Sequence, residues 1–130
     1  MRKNKWILCC KWLIIATLVL PSCSEKALLC SDFHDGEFTF SASSNVRILR
    51  EGDRQTEYSL EDDFVDKYRI LWIDSCTYQA VLEETNRPED LDFRSNDTLT
   101  VTIIETAEKG YRYTASKPGK TFEGTLIFAD

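Results

Sequence analysis

The chain has 130 residues, with 16 basic residues against 22 acidic ones and a formal net charge of −6. That negative balance repels polyanions and argues against nucleic acid as a partner. The length suits one domain around one core and excludes multidomain machinery.

Arg2, Lys3, Lys5 and Lys11 lie before or at the edge of the apolar run from Trp12 to Leu20, and no acidic residue occurs before Glu25. A bilayer-spanning helix needs about 20 apolar residues, so this run is too short for one. A basic start, a short apolar centre and small residues at the end predict a signal peptide over residues 1–22. Leu20-Pro21-Ser22-Cys23 resembles the lipobox of bacterial lipoproteins. The resemblance implies cleavage before Cys23, a lipid on its sulfur and attachment to a membrane of the cell envelope, with Ser24 pointing to the outer membrane. Ordinary secretion with cleavage after Ser24 is the alternative.

Removing residues 1–22 leaves 12 basic against 22 acidic residues, a formal −10. It also leaves Cys23, Cys30 and Cys76. With Cys23 lipidated, an even pair remains in an oxidising compartment, which predicts a Cys30–Cys76 disulfide.

Residues 23–35 read as the lipidated terminus and tether, and 36–130 as a single β domain. From Gly36 the apolar period is two, as in strands with one buried face. Phe38 and Phe40 alternate with polar residues, as do Val46 and Ile48. Glu51-Gly52-Asp53-Arg54 supplies a turn, with Gly52 suited to positive φ. Gln55–Leu60 returns with Tyr58 and Leu60 on one side and Glu57 and Ser59 on the other. Tyr68, Ile70 and Trp72 share a face, Asp74-Ser75 turns, and Tyr78, Ala80 and Leu82 continue the buried set. Residues 85–97 form the one long connection, where Asn86 could cap a helical turn begun by Pro88 and Leu91 and Phe93 could tuck inward.

Leu99, Val101 and Ile103 alternate with threonines. Glu108-Lys109-Gly110 turns into Tyr111, Tyr113 and Ala115. Lys117-Pro118-Gly119-Lys120 predicts a type II turn into Phe122, Leu126 and Phe128. The sum is an all-β meander of seven or eight antiparallel strands, either a small lipocalin-like up-and-down barrel or a strongly curved sheet. Leu71, Ile73, Val81, Ile104 and Ile127 fall on the polar face, as scattered surface residues or as an interface.

Three stretches resemble a group of small secreted proteins and lipoproteins of Bacteroidetes-type bacteria. They run from Cys30 to Phe38, from Ile48 to Glu57 and from Leu71 to Tyr78. The Arg-to-Gln-x-Glu hairpin and Trp-Ile-Asp-x-Cys-x-Tyr are the most specific parts. Some members of the group carry a DNA topoisomerase IV label, which one small acidic exported domain does not suit. The resemblance adds weight to the architecture and the cysteine pair and supplies no mechanism.

No catalytic motif stands out. There is no Gly-x-Ser-x-Gly elbow and no Gly-rich phosphate loop. His34 is the single histidine and reads as a flexible loop residue, so neither a metal site nor a cofactor is expected. The carboxylates of Glu61-Asp62-Asp63 and of Glu89, Asp90 and Asp92 read as charged turns. Tyr68, Trp72, Tyr78, Tyr111 and Tyr113 share the buried face, either as a filled core or as an aromatic pocket reached through the barrel mouth. Two functions follow: a non-enzymatic envelope lipoprotein that binds or scaffolds another envelope component, or a carrier of a small apolar ligand.

Overall fold

The computed structural model describes residues 27–87 and 97–130. The expected signal peptide, Cys23, and the connection residues Leu91 and Phe93 lie outside the described residues. A 3-10 helix, Cys30–Phe33, precedes eight strands: β1 Gly36–Phe40, β2 Ser43–Glu51, β3 Arg54–Ser59, β4 Val65–Trp72, β5 Thr77–Thr85, β6 Thr98–Ala107, β7 Gly110–Lys117 and β8 Lys120–Phe128. Each pairs antiparallel with the next in sequence. β1 then pairs with β8 through Phe38↔Phe128, Thr39↔Ile127 and Phe40↔Leu126, which closes the sheet into an up-and-down barrel. Closure leaves no sheet edge. Among the described residues no helix is long and apolar enough to cross a membrane.

The period-two pattern accounts for most of the interior. Phe38, Ile48, Ile70, Ala80, Leu82, Val101, Ile103, Ala115 and Leu126 are buried as expected, together with Tyr68, Tyr78, Tyr111 and Tyr113. The exception is β3, whose inward side is the polar one. Gln55 is buried and Glu57 faces the interior, whereas Leu60, just past the strand, is 58% exposed. Antiparallel partners share a face. Ile48 is opposite Glu57 and Arg50 is opposite Gln55, so the orientation of β2 obliges that of β3.

Register also disposes of the outward apolar residues. Leu71 pairs with Gln79, Val81 with Arg69 and Thr98, and Ile127 with Thr39 and Gly110. Polar or glycine neighbours therefore flank Leu71, Val81 and Ile127, whereas Ile73 lies just past β4 and is exposed beside Leu71. Ile104 sits where the β6–β7 register shifts between Ile103 and Glu105, and such a bulge re-aims a side chain while bending its strand.

Two turns follow expectation: Gly52 and Gly119 have φ of 61° and 79°. Gly110 serves another purpose. A Cβ there would meet the Leu126 carbonyl oxygen at 2.0 Å and the Ile127 Cα at 2.7 Å, so its lack of a side chain lets β7 approach β8. The helical turn expected from Pro88 lies outside the described residues, and Asn86 holds the neighbouring connection instead. Its side chain accepts from the Val65 N–H at 2.9 Å and donates to the Asp63 carbonyl at 2.7 Å, fixing the β3–β4 connection.

The largest departure from expectation concerns the tether. Residues 28–34 belong to the body of the domain. Leu28 packs on the core and its carbonyl accepts from Thr106 Oγ1 at 2.8 Å. Phe33 is fully buried, with its ring 5.0 Å from that of Tyr111 and 5.3 Å from that of Phe128. His34 is not a free loop residue. It stacks on Trp72 at 3.5 Å between ring centroids, and its Nε2 donates to the Ser75 carbonyl at 2.8 Å. The 3-10 helix thus plugs the barrel end where the β2–β3, β4–β5 and β6–β7 turns lie.

The Cys30–Cys76 disulfide ties this plug to the β4–β5 turn across a sequence separation of 46 residues. Closing a loop of that size stabilises the fold by about 4 kcal/mol in the chain-entropy model. Replacing both cysteines with alanine is expected to lower the unfolding free energy by about that amount, measured by urea denaturation. A loss under about 1 kcal/mol would show that the plug is held by its packing alone.

Candidate ligand-binding site

The interior divides into two polar regions, one around Arg50 and one around a cavity. The first region is built on Arg50, which is fully buried. It lies on β2 two residues beyond Ile48, and strand alternation points both into the barrel. Its Nε donates to Gln55 Oε1 at 2.9 Å and its Nη1 to the Phe33 carbonyl at 2.7 Å. Its Nη2 donates to the Tyr78 and Tyr111 hydroxyls at 3.0 and 3.1 Å. The rings of Tyr78, Phe38 and Trp72 surround the guanidinium at 4.8, 5.3 and 5.8 Å. Burial opposes the charge, but the Tyr78 and Tyr111 oxygens more than offset it, so the pKa of Arg50 lies above the ordinary guanidinium value. Burial raises the Tyr78 pKa well above that of a free tyrosine, though the nearby Arg50 charge pulls it down.

The second region is a cavity of about 130 Å³ that extends from mid-barrel toward the other end. Tyr68, Tyr78, Val101 and Tyr113 form part of its wall. Phe40, Leu99 and Phe122 come from strand ends at the end opposite the plug. Gln55 and Glu57 are its polar lining besides the tyrosine hydroxyls. Of the five aromatics expected to form a pocket, Tyr68, Tyr78 and Tyr113 line this cavity. Trp72 and Tyr111 do not, because they pack around Arg50 and the plug instead. Tyr113 lies over Gly124, where a Cβ would meet its hydroxyl at 2.5 Å. That missing side chain is what gives the ring room.

Glu57 is the residue that the sequence reading left on the outside. Gln55 Nε2 donates to its Oε1 at 2.9 Å. Burial, followed by the negative charge of Asp66, pushes its pKa from 4.5 up to about 7, although Gln55, Arg50 and Arg87 act the other way. Burial and the charge of Glu57 likewise push Tyr113 up to about 12 and raise Tyr68 further.

Asp66, opposite Glu57 on β4, has its own partners. It is fully buried, accepts from Thr85 Oγ1 at 2.6 Å and pairs with Arg87 Nη2 at 2.7 Å. The Arg87 guanidinium in turn lies 3.6 Å over the Phe64 ring. Glu57 therefore has no cation within hydrogen-bond reach among the described residues. Arg50 is occupied by four acceptors and Arg87 by Asp66.

Among the described residues no group of three or more His, Cys, Asp or Glu side chains is placed to hold a metal ion. No protein-family model matches the chain, and no curated protein or solved structure matches it either.

The enclosed carboxyl makes stability depend on pH in a defined direction. The folded pKa of Glu57 is about 7 against 4.5 unfolded, so between those values the native state binds more protons and stability falls as pH rises. Glu57→Gln removes this effect. The variant is expected to exceed the wild type in unfolding free energy by roughly 2–3 kcal/mol at pH 8 and to match it near pH 4.5. Denaturant titrations across that range check it, and a pH-independent difference would contradict the enclosure.

Proposed function

We propose that this protein is a non-enzymatic, lipid-anchored barrel of the bacterial cell envelope that holds a small ligand in its interior. The observation that supports the ligand role is a cavity with aromatic and aliphatic walls, plugged at one end, that keeps a carboxyl inside. Pockets that bind small molecules are commonly apolar hollows with a few placed polar groups.

The size limits the ligand. Sites for drug-sized molecules occupy roughly 300–1,000 Å³, whereas a cavity of about 150 Å³ accepts benzene. At about 130 Å³ the site suits a compact ligand of similar bulk and does not suit a fatty chain. The envelope location belongs to the same proposal and rests on the basic-apolar leader and the lipobox-like Leu20–Cys23. Membership of the small secreted and lipoprotein group of Bacteroidetes-type bacteria is part of it too, on the stretches quoted above. Scaffolding of another envelope component would draw on outward Leu71 and Ile73, 58% and 57% exposed, but two side chains make a small patch, and that reading is the weaker.

Native mass spectrometry of protein released gently from cells tests both halves. The expected spectrum shows a small-molecule adduct lost on denaturation, and the denatured chain begins at an acylated Cys23. A clean apo mass in every preparation would remove the ligand role, and a chain still beginning at Met1 would remove the anchor.

A further inference from the structure

We propose that the cavity selects a small organic cation, namely a protonated amine on a compact apolar body, with the ammonium on the Glu57 carboxylate and the body against Tyr68, Tyr113 and Leu99. The proposal rests on the ligand-holding reading above and adds the class of ligand.

Charge accounting leads to it. Among the described residues, the charged groups that act on Glu57 are Arg50, Asp66 and Arg87, which makes four ionisable side chains with Glu57 itself. Three of them are satisfied. Arg50 donates to Gln55, Phe33, Tyr78 and Tyr111, and Asp66 and Arg87 form their own ion pair at 2.7 Å. Glu57 has a neutral partner, the Gln55 amide. No Lys or Arg lines the cavity among the described residues. A buried carboxylate is costly unless it is paired. The missing counter-charge is something a ligand can bring.

The rest of the wall fits the same head group. Neither the Tyr68 nor the Tyr113 hydroxyl has a hydrogen-bond partner among the described residues, and both rings bound the cavity. An ammonium has three donors, so it can bond a carboxylate and two phenol oxygens at once. Aromatic faces also attract cations.

Other ligand classes fit less well. An anion would meet the Glu57 carboxylate with every nearby guanidinium already engaged. A neutral hydrocarbon would strip water from that carboxyl and give nothing back. A bare metal ion would find one carboxylate and, among the described residues, no group of strong ligands around it.

Three probes share one skeleton and differ in the head: benzylamine, benzyl alcohol and benzoate. Binding to the purified protein is followed by chemical-shift perturbation or calorimetry at pH 8. The amine is expected to bind at least about tenfold tighter than the alcohol, and benzoate weakest. Glu57→Gln is expected to lose roughly tenfold or more for the amine and to leave the alcohol within about twofold.

The wild type gives a check that needs no variant. Amine affinity should weaken from pH 8 to pH 5.5 as Glu57 takes up a proton, while alcohol affinity should not follow. The groups facing Glu57 are Arg50 from β2, Gln55 on its own strand, Asp66 and Tyr68 from β4, Tyr78 from β5, Arg87 after β5 and Tyr113 from β7. The tyrosines titrate above this range, and guanidinium groups remain charged throughout. If the alcohol or benzoate binds as well as the amine, the cation preference fails while the barrel still holds ligands. If none of the three binds, the ligand-holding reading fails and this proposal falls with it.

Discussion

A single buried guanidinium organises this barrel. An unpaired charge in a protein interior costs several kcal/mol unless hydrogen bonds replace its water. Among the described residues no carboxylate is in contact with Arg50, and neutral oxygens satisfy it. They come from four parts of the chain: the Phe33 carbonyl of the plug, Gln55 of β3, Tyr78 of β5 and Tyr111 of β7. Each gives Arg50 a reason to be where it is, and Arg50 fixes each in return. The plug is therefore held twice, covalently through Cys30–Cys76 and by its Phe33 carbonyl on the buried cation.

Gln55 carries the consequence to the cavity half of the barrel. Its amide oxygen accepts from Arg50 and its amide nitrogen donates to Glu57, with both distances 2.9 Å. The cation thereby sets the orientation of the amide, and the amide presents donors to the carboxyl. A chain of cation, amide and carboxyl runs along the inner wall from the closed end to the cavity. The aromatic residues sort along the same axis. Tyr111 and Trp72 belong to the Arg50 end, Tyr68 and Tyr113 to the cavity, and Tyr78 touches both.

Much of the wall was readable from alternation, because a strand with one buried face leaves its period in the sequence. The strands through Phe38, Tyr68, Tyr78, Val101 and Tyr113 could be read that way, the turns at Gly52 and Pro118-Gly119 from their turn residues, and the cysteine pair from cysteine parity. The polar interior was harder, because inward Arg50, Gln55, Glu57 and Asp66 look like surface residues. A signal for them existed. Val46 and Ile48 extend by parity to Arg50, and a two-residue turn at Gly52-Asp53 forces Gln55 and Glu57 to the same side. Tyr58 and Leu60 supplied a competing apolar pattern on the wrong face. The plug had no periodic signal at all. Its position depends on Phe33, Arg50 and Cys76, which come together only in three dimensions, and so does the stacking of His34 on Trp72.

The most direct test is an NMR titration that follows the side-chain carboxyl carbon of Glu57. A carboxyl enclosed beside Gln55 and Asp66, with no cation in contact, is expected to titrate with a midpoint of about 7. A midpoint at the ordinary value of about 4.5 would mean that β3 turns Glu57 to water, and the polar axis from Arg50 to the cavity would then not exist.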